Sequence, residues 1–326
     1  SYIFQNKDYL TGLAQGALPS TGIEPETDYK ADLGLEVGLL QNRLMFQVDG
    51  FYNNRKNIAC EGAGTVSDVI GIGVPVIFTG ETINYGAEVS ATWRQTIGDF
   101  SYNIGANFSY ARNRIIEASQ EPVPYEWQEI SGTRISEMYG YVPDGFYQAE
   151  DFNADGSLKD GVVASGLVST LRPGDIKYED LNSDGLIDEN DAKYHGVSSL
   201  PSMYYGINLG AEYKGFGFQM MFQGAGDFMV NTMLPSVYQP LYNNDKNISK
   251  HYLESYWTAA SPEGRYPRLT TESNAHNYAD SPVWWERGDY LKLRNLYVWY
   301  DFGHMIDKVE SFKVFFRGHN LFSVDS

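Results

Sequence analysis

Residues 83–94 read INYGAEVSATWR, and after a short break residues 100–110 read FSYNIGANFSY. Apolar and polar side chains alternate along both segments, so that Tyr85 and Trp93 share one face of the first segment and Glu88 lies on the other. Successive side chains of a strand point to opposite faces, and the pattern therefore predicts a hairpin with one apolar and one polar face. Each arm is longer than the roughly 5–6 residues usual in soluble sheets, and its length suits a tilted membrane strand of about 9–11 residues.

The composition narrows the class of protein further. The 326 residues include 42 acidic and 24 basic side chains, a formal net charge of −18, which argues against nucleic-acid binding because little positive charge is present to neutralise phosphates. The single cysteine, Cys60, excludes an intrachain disulfide and a cysteine-rich metal site. No apolar run of about 20 residues occurs, so no transmembrane helix is predicted, but barrel strands are only half apolar and are not detected in this way.

Loop lengths follow a strict alternation along the chain. The same two-residue pattern predicts three further hairpins, at residues 29–52, 203–222 and 290–322. The turns inside the four hairpins are short, at residues 41–43, 95–99, 214–216 and 301–311, whereas the connections at 53–80, 114–197 and 224–283 are long. In an antiparallel meander this places all short turns at one end, as in outer-membrane barrels with short periplasmic turns and long extracellular loops. We therefore expect an all-β, antiparallel transmembrane β-barrel; the alternative on pattern alone is a soluble β-sandwich.

One acidic segment has the spacing of a calcium-binding loop. Residues 180–191 read DLNSDGLIDEND and fit the D-x-[DN]-x-[DN]-G pattern, with Gly185 at the sharp turn. Ca²⁺ prefers oxygen ligands from a loop that wraps around it, and we expect a structural Ca²⁺ here; the alternative is a solvated acidic turn. The predicted ligands are Asp180, Asn182, Asp184, the carbonyl of Leu186, Asp188 and Asp191.

No set of catalytic residues is evident, and the chain is not expected to be an enzyme. The five histidines are scattered without metal-ligand spacing, and no nucleophile elbow, phosphate loop or zinc-protease motif occurs. The connection 224–283 and the residues just after it are rich in aromatic side chains, which can stack on sugars or peptides but can equally pack the loop against its neighbours. The candidate substrate-binding residues are Tyr256, Trp257, Trp284 and Trp285.

Several motifs, spread in order over nearly the whole chain, resemble the C-terminal half of SusC-like (RagA-type) TonB-dependent transporters of the Bacteroidetes outer membrane. The two most specific are PGDIKYEDLNSDGLID at residues 173–188 and GDYLKLRNL at residues 288–296. Supporting motifs are NYGAE at 84–88, YGY at 139–141, DGFYQ at 144–148, YWT at 256–258, YPRL at 266–269 and GHNLF at 318–322.

The resemblance implies a fold, partners and a cellular location. Residues 1–326 would be a partial outer-membrane barrel domain, part of a 22-stranded barrel, with the plug domain, the TonB box and the last strands absent from this chain. Residues 114–197 would be a long extracellular loop carrying the calcium-type loop, and residues 224–283 a long aromatic-rich extracellular loop. The implied function is TonB-dependent import of an oligosaccharide or peptide, with a SusD-like surface lipoprotein as lid, in contact with outer-membrane lipid. Two alternatives remain: a soluble calcium-stabilised β-sandwich that binds glycans, and a surface barrel without a transport role.

Overall fold

Antiparallel strands dominate the chain. The computed structural model describes residues 2–4, 8–10, 16, 18–20, 22–62, 73–233, 247–306 and 308–326. Eight long strands form the main sheet: β3 (Thr27–Leu39), β4 (Leu44–Glu61), β5 (Val76–Ile97), β6 (Phe100–Glu117), β13 (Met203–Tyr213), β14 (Phe216–Gly226), β17 (Tyr290–Asp301) and β18 (Lys313–Asp325). No helix among the described residues is long and apolar enough to cross a membrane.

Short elements occupy the remaining segments. The short strands are β1 (Tyr2–Phe4), β2 (Asp8–Leu10), β7 (Glu137–Tyr141), β8 (Pro143–Phe146), β9 (Ala164–Ser165), β10 (Ile176–Tyr178), β11 (Leu186–Ile187), β12 (Ala192–Ser198), β15 (Met229–Asn231) and β16 (Trp285–Arg287). Within the described segments, one α-helix, α1, spans Lys250–Ser255, and single 3-10 turns lie at Glu126–Gln128, Ala149–Asp151, Glu189–Asp191, Pro282–Trp284 and Gly303–Met305.

The main sheet is a meander in chain order. Its strands are hydrogen-bonded in the order β3-β4-β5-β6-β13-β14-β17-β18, and every neighbouring pair is antiparallel. The turn between β13 and β14 consists of Lys214 and Gly215, which both have positive φ (48° and 85°) as a two-residue hairpin turn requires. The predicted long connections are observed after β6 and after β14. The connection between β4 and β5 is shorter than predicted, residues 62–75, and the turn between β17 and β18, residues 302–312, is almost as long.

Register carries the apolar face across all eight strands. Pairing aligns Val48 with Val89, Val89 with Phe108, and Phe108 with Tyr205, so the apolar positions of successive strands lie side by side. On the apolar face of β3, Leu33 is 82% exposed, and on that of β18, Phe316 is 58% exposed. A soluble protein would bury such a surface, whereas a barrel turns it towards lipid.

The described strands do not form a sandwich. Besides the eight-stranded sheet, they make only five two-stranded sheets, and none of these is a second layer of comparable size. The sandwich alternative is therefore not the architecture that this chain forms.

The strands are longer than the alternation alone predicts. The segment 53–80 is not entirely a loop: β4 continues to Glu61 and β5 begins at Val76. In this extension the two faces no longer differ, because residues 53–57 are polar on both faces and residues 58–60 and 76–78 are apolar on both. Backbone pairing continues there without the alternation. Cross-strand contacts hold it together, including Asn54 Nδ2 donating to Glu81 Oε1 (2.9 Å) and the Lys56–Glu81 ion pair (3.3 Å). Near the start of the chain, β1 and β2 pair with each other outside the main sheet.

Candidate functional site

The two long connections fold together at one end of the sheet. The first connection, residues 118–202 between β6 and β13, builds three two-stranded sheets, β7–β12, β8–β10 and β9–β11. The second connection, residues 227–289 between β14 and β17, contributes β15, β16 and α1. Most of the fully buried side chains of the described protein lie in these connections rather than in the main sheet. We refer to the described parts of both connections as the loop unit.

A buried carboxylate ties the two connections to each other. Asp175, in the first connection, is completely buried. Its Oδ1 accepts hydrogen bonds from Arg268 Nε (2.7 Å), Asn277 Nδ2 (2.8 Å) and Asn274 Nδ2 (3.3 Å), all in the second connection. Its Oδ2 accepts a hydrogen bond from the backbone N–H of Arg172 (2.8 Å). Because one charge is shared by donors from both connections, the carboxylate holds them in one arrangement.

His276 extends this network along β10. Its Nε2 lies 2.5 Å from the carbonyl oxygen of Ile176, which can only accept, so Nε2 carries the proton. Its Nδ1 lies 2.8 Å from Ser165 Oγ, and in the neutral tautomer Nδ1 accepts from that hydroxyl. Tyr178 donates its hydroxyl proton to the backbone carbonyl of His276 (3.0 Å). Burial lowers the pKa of His276, which keeps the ring neutral and suited to a structural position rather than to proton transfer.

Two of the four aromatic candidates lie in the core of the loop unit. Trp284 is fully buried and Trp285 is 4% exposed, and both belong to a cluster with Tyr252 and Tyr266. The rings of Tyr252 and Tyr266 stack at a centroid distance of 4.8 Å, and Trp284 Nε1 donates to the carbonyl of Asn277 (2.9 Å). In this arrangement neither tryptophan presents a ring face to solvent.

The other two aromatic candidates lie at the edge of this cluster. Tyr256 and Trp257 are half-buried, and Tyr256 stacks on Tyr252 with ring centroids 6.4 Å apart. The ring of Trp257 lies against Gly174, where an added Cβ would come within 2.3 Å of it. The aromatic candidates thus pack against one another and against the first connection more than they form an open platform.

The acidic segment 180–191 folds into a tight loop. Asp180 accepts the backbone N–H groups of Asp184 (3.2 Å) and Gly185 (2.7 Å), and Gly185 has the positive φ (87°) that the sharp turn requires. Asp191 is buried and accepts the backbone N–H groups of Leu181 (2.8 Å) and Asp188 (2.9 Å).

The remaining predicted ligands follow the same turn. Asn182 and Asp184 accept backbone N–H groups at 3.0 Å and 2.9 Å; Asp188 accepts that of Asn190 at 2.8 Å, and Leu186 begins β11. Within the described parts of the chain, no group of three or more His, Cys, Asp or Glu side chains is arranged to hold a metal ion. The predicted Ca²⁺ site therefore stays a prediction.

The Ca²⁺ prediction has a direct test. Replacement of Asp184 with alanine is expected to lower the protease resistance of the first connection in Ca²⁺ and to remove the difference between Ca²⁺ and chelator that the unchanged protein shows. Limited proteolysis with and without chelator measures both effects, and Asp155→Ala, in a neighbouring acidic turn, is the matched control. Equal digestion of the unchanged protein with and without chelator would show that the loop is a metal-free turn.

Local sequence patterns do not identify Asp175 and its partners as a site. Asp175 does lie in the PGDIKY motif, so the motif was the available signal, but its partners are about 100 positions away (93 to Arg268, 102 to Asn277). Local spacing cannot indicate such a network.

Comparison with known proteins agrees with this architecture. No family model matches the chain. Among curated proteins, TonB-dependent receptor P26 of Formosa agariphila is 23% identical over 317 residues, covering 95% of this chain and 31% of the receptor. TonB-dependent receptor P3 of the same organism is 25% identical over 248 residues, covering 72% of this chain and 24% of the receptor.

Solved structures give the same result at the level of the fold. The RagAB peptide transporter superposes with a TM-score of 0.67 at 18% identity, covering 92% of this chain and 32% of that chain. The RagAB peptide importer in its 'open-open' state gives a TM-score of 0.67 at 17% identity. The chain spans about a quarter to a third of the length of these relatives. In sequence and in fold, it is similar to a segment of the barrel of SusC/RagA-like TonB-dependent transporters.

Proposed function

We propose that the protein imports a nutrient oligomer, an oligosaccharide or a peptide, across the bacterial outer membrane in a TonB-dependent manner. This chain would supply part of the barrel wall and the loop unit on the outer side. A SusD-like surface lipoprotein would act as the lid above the loop unit, and energy would reach the barrel through TonB and a plug domain. No covalent chemistry is required of the described residues.

One observation carries this proposal: the apolar face runs uninterrupted across eight paired strands while the opposite face stays largely polar. A wall that contacts hydrocarbon on one side and an aqueous interior on the other requires this arrangement. The loop unit supports it, because an ordered structure rather than loose loops lies at one end of that wall. The similarity to TonB-dependent receptors adds the energy source to the proposal.

Uptake measurements distinguish this proposal from the alternative, a surface barrel without a transport role. In a strain that lacks the protein, we expect uptake of at least one class of labelled oligomer, tested as a peptide mixture and as a panel of oligosaccharides, to fall by about tenfold or more. A strain that lacks TonB should show the same loss, and a complemented strain should recover. Unchanged uptake of every oligomer in the deletion strain would favour the non-transporting barrel.

A further inference from the structure

The loop unit contains a cleft that lies where the two connections meet. Its volume is about 600 Å³, within the roughly 300–1,000 Å³ usual for ligand pockets. We call it the tyrosine cleft, because Tyr139 and Tyr141 of β7 and Tyr278 of the second connection line it. None of the four aromatic residues that the sequence suggests for substrate binding lines this cleft.

The walls of the tyrosine cleft are fixed relative to each other. The backbone N–H of Tyr141 donates to the carbonyl of Asp280 (2.9 Å), which joins the first connection to the second. A Cβ added at Gly140 would come within 2.2 Å of the same carbonyl oxygen, so only glycine permits this approach. A preformed cleft of this kind loses little conformational entropy when a ligand binds.

The lining of the cleft is acidic and rich in acceptors. Glu189 and Asp280 both line it and both are exposed. No Lys, Arg or His occurs among the described residues that line it. Burial raises the pKa of Tyr141 to about 12, and neighbouring negative groups such as Asp191 contribute to the increase. The hydroxyl of Tyr141 therefore stays protonated at neutral pH.

A buried amide oxygen in the lining has no partner. Gln128 is 7% exposed, and its Nε2 donates to the carbonyl of Glu189 (2.9 Å). A carbonyl oxygen only accepts, so this contact fixes the amide orientation and identifies the opposite atom as Oε1. That Oε1 is the buried acceptor without a hydrogen-bond partner. Because this oxygen is itself buried, it is not part of the cleft surface that a ligand contacts.

We propose that the tyrosine cleft binds the cationic side chain of a lysine or arginine in an imported peptide. The exposed carboxylates of Glu189 and Asp280 attract the charge, and the lining carries no basic side chain that would compete for them. A neutral sugar would gain nothing from the two negative charges. The inference rests on the proposed import function and narrows its cargo to basic peptides.

Binding to the full-length protein in detergent tests this site. The probes are acetyl-trilysine amide, acetyl-triglycine amide and maltotriose, measured by titration calorimetry. We expect trilysine to bind more tightly than the two neutral probes, and Glu189→Gln to weaken trilysine binding about fivefold, the upper range for one exposed ion pair. Glu150→Gln, an exposed glutamate of the same connection outside the cleft lining, is the matched control and should change affinity less than about twofold.

The outcomes separate this site from the import function. The proposal would be overturned if maltotriose or triglycine bound as tightly as trilysine. It would also be overturned if the double variant Glu189→Gln, Asp280→Asn bound trilysine with unchanged affinity. Limited proteolysis confirms that the double variant is folded. Trilysine binding that depends on Glu189, in a protein whose deletion leaves all uptake unchanged, would remove the import function and leave the cation site in place.

Discussion

Replacement of Asp175 with alanine is expected to separate the two long connections at a cost of about 3–5 kcal/mol in the free energy of opening the loop unit. The reason is the partner that remains. Arg268, whose side chain is 15% exposed, would keep its charge in a largely buried position without a counter-ion. The amide donors of Asn274 and Asn277 would also lose their shared acceptor, and each unsatisfied buried group adds its own desolvation penalty.

Hydrogen exchange measures this effect region by region. Amides of both connections should exchange faster by a factor of about a hundred or more, since each 1.4 kcal/mol corresponds to tenfold, while amides of the central strands β5 and β6 should not change. Asp175→Asn keeps one acceptor oxygen but loses the charge. Its exchange rates in both connections should lie between those of the unchanged protein and those of Asp175→Ala. Asp160→Ala, at an exposed position of the same connection, is the control. Unchanged protection of the second connection in Asp175→Ala would show that the network does not hold the loop unit together.

Charge placed on the two faces of β13 is expected to have opposite consequences. Ile207 and Asn208 are adjacent, near the middle of the strand, and both side chains are exposed in the isolated chain. Ile207 pairs with Ala106 and Phe222 on the apolar face, whereas Asn208 lies opposite Gly105 and Met221 on the other face. In water, arginine at either position would be nearly neutral. If the apolar face lies in lipid, Ile207→Arg should destabilise the folded protein by about 2–4 kcal/mol.

The measurement is urea unfolding of the full-length protein in lipid vesicles. The folded fraction is read from the heat-modifiable band that folded barrels show in unheated gel samples. Asn208→Arg should remain within about 0.5 kcal/mol of the unchanged protein, as expected for a wet position. Equal effects of the two substitutions would mean that the two faces do not differ in environment.

The central parts of the strands could be predicted from sequence, and their ends could not. Residues 83–110 alternate because one face meets an apolar phase and the other a polar phase, and that contrast alone indicates strand and faces. Beyond Tyr52 in β4, residues 53–57 are polar on both faces and residues 58–60 are apolar on both, so the contrast vanishes while hydrogen bonding continues through Arg55 to Glu61. Strand length outside the apolar band therefore depends on cross-strand contacts such as Lys56–Glu81, which no local pattern reveals.

The loop unit was less accessible to sequence reasoning. The sequence makes Trp284 a candidate for ligand stacking, because an aromatic-rich segment has the same composition and spacing in an exposed platform and in a packed core. The packing of Tyr252 and Tyr266 against Trp284 shows that it belongs to the core. The tyrosine cleft likewise joins residues near 128, 140, 189 and 280 that are distant in sequence. By contrast, the turn of the acidic segment follows from Gly185 and its Asx neighbours, which is local chemistry and was predictable.

The most direct test of the central claim, that one face of the main sheet meets lipid, is the environment of single fluorophores on β13. Cysteine is introduced at Ile207 or at Asn208 in a full-length protein without other reactive cysteines, labelled with a small environment-sensitive dye, and reconstituted in vesicles. The label at position 207 should be quenched by lipids brominated in their acyl chains and should be protected from aqueous iodide; the label at position 208 should show the reverse. Quenching of both labels by iodide alone would contradict a lipid-facing sheet.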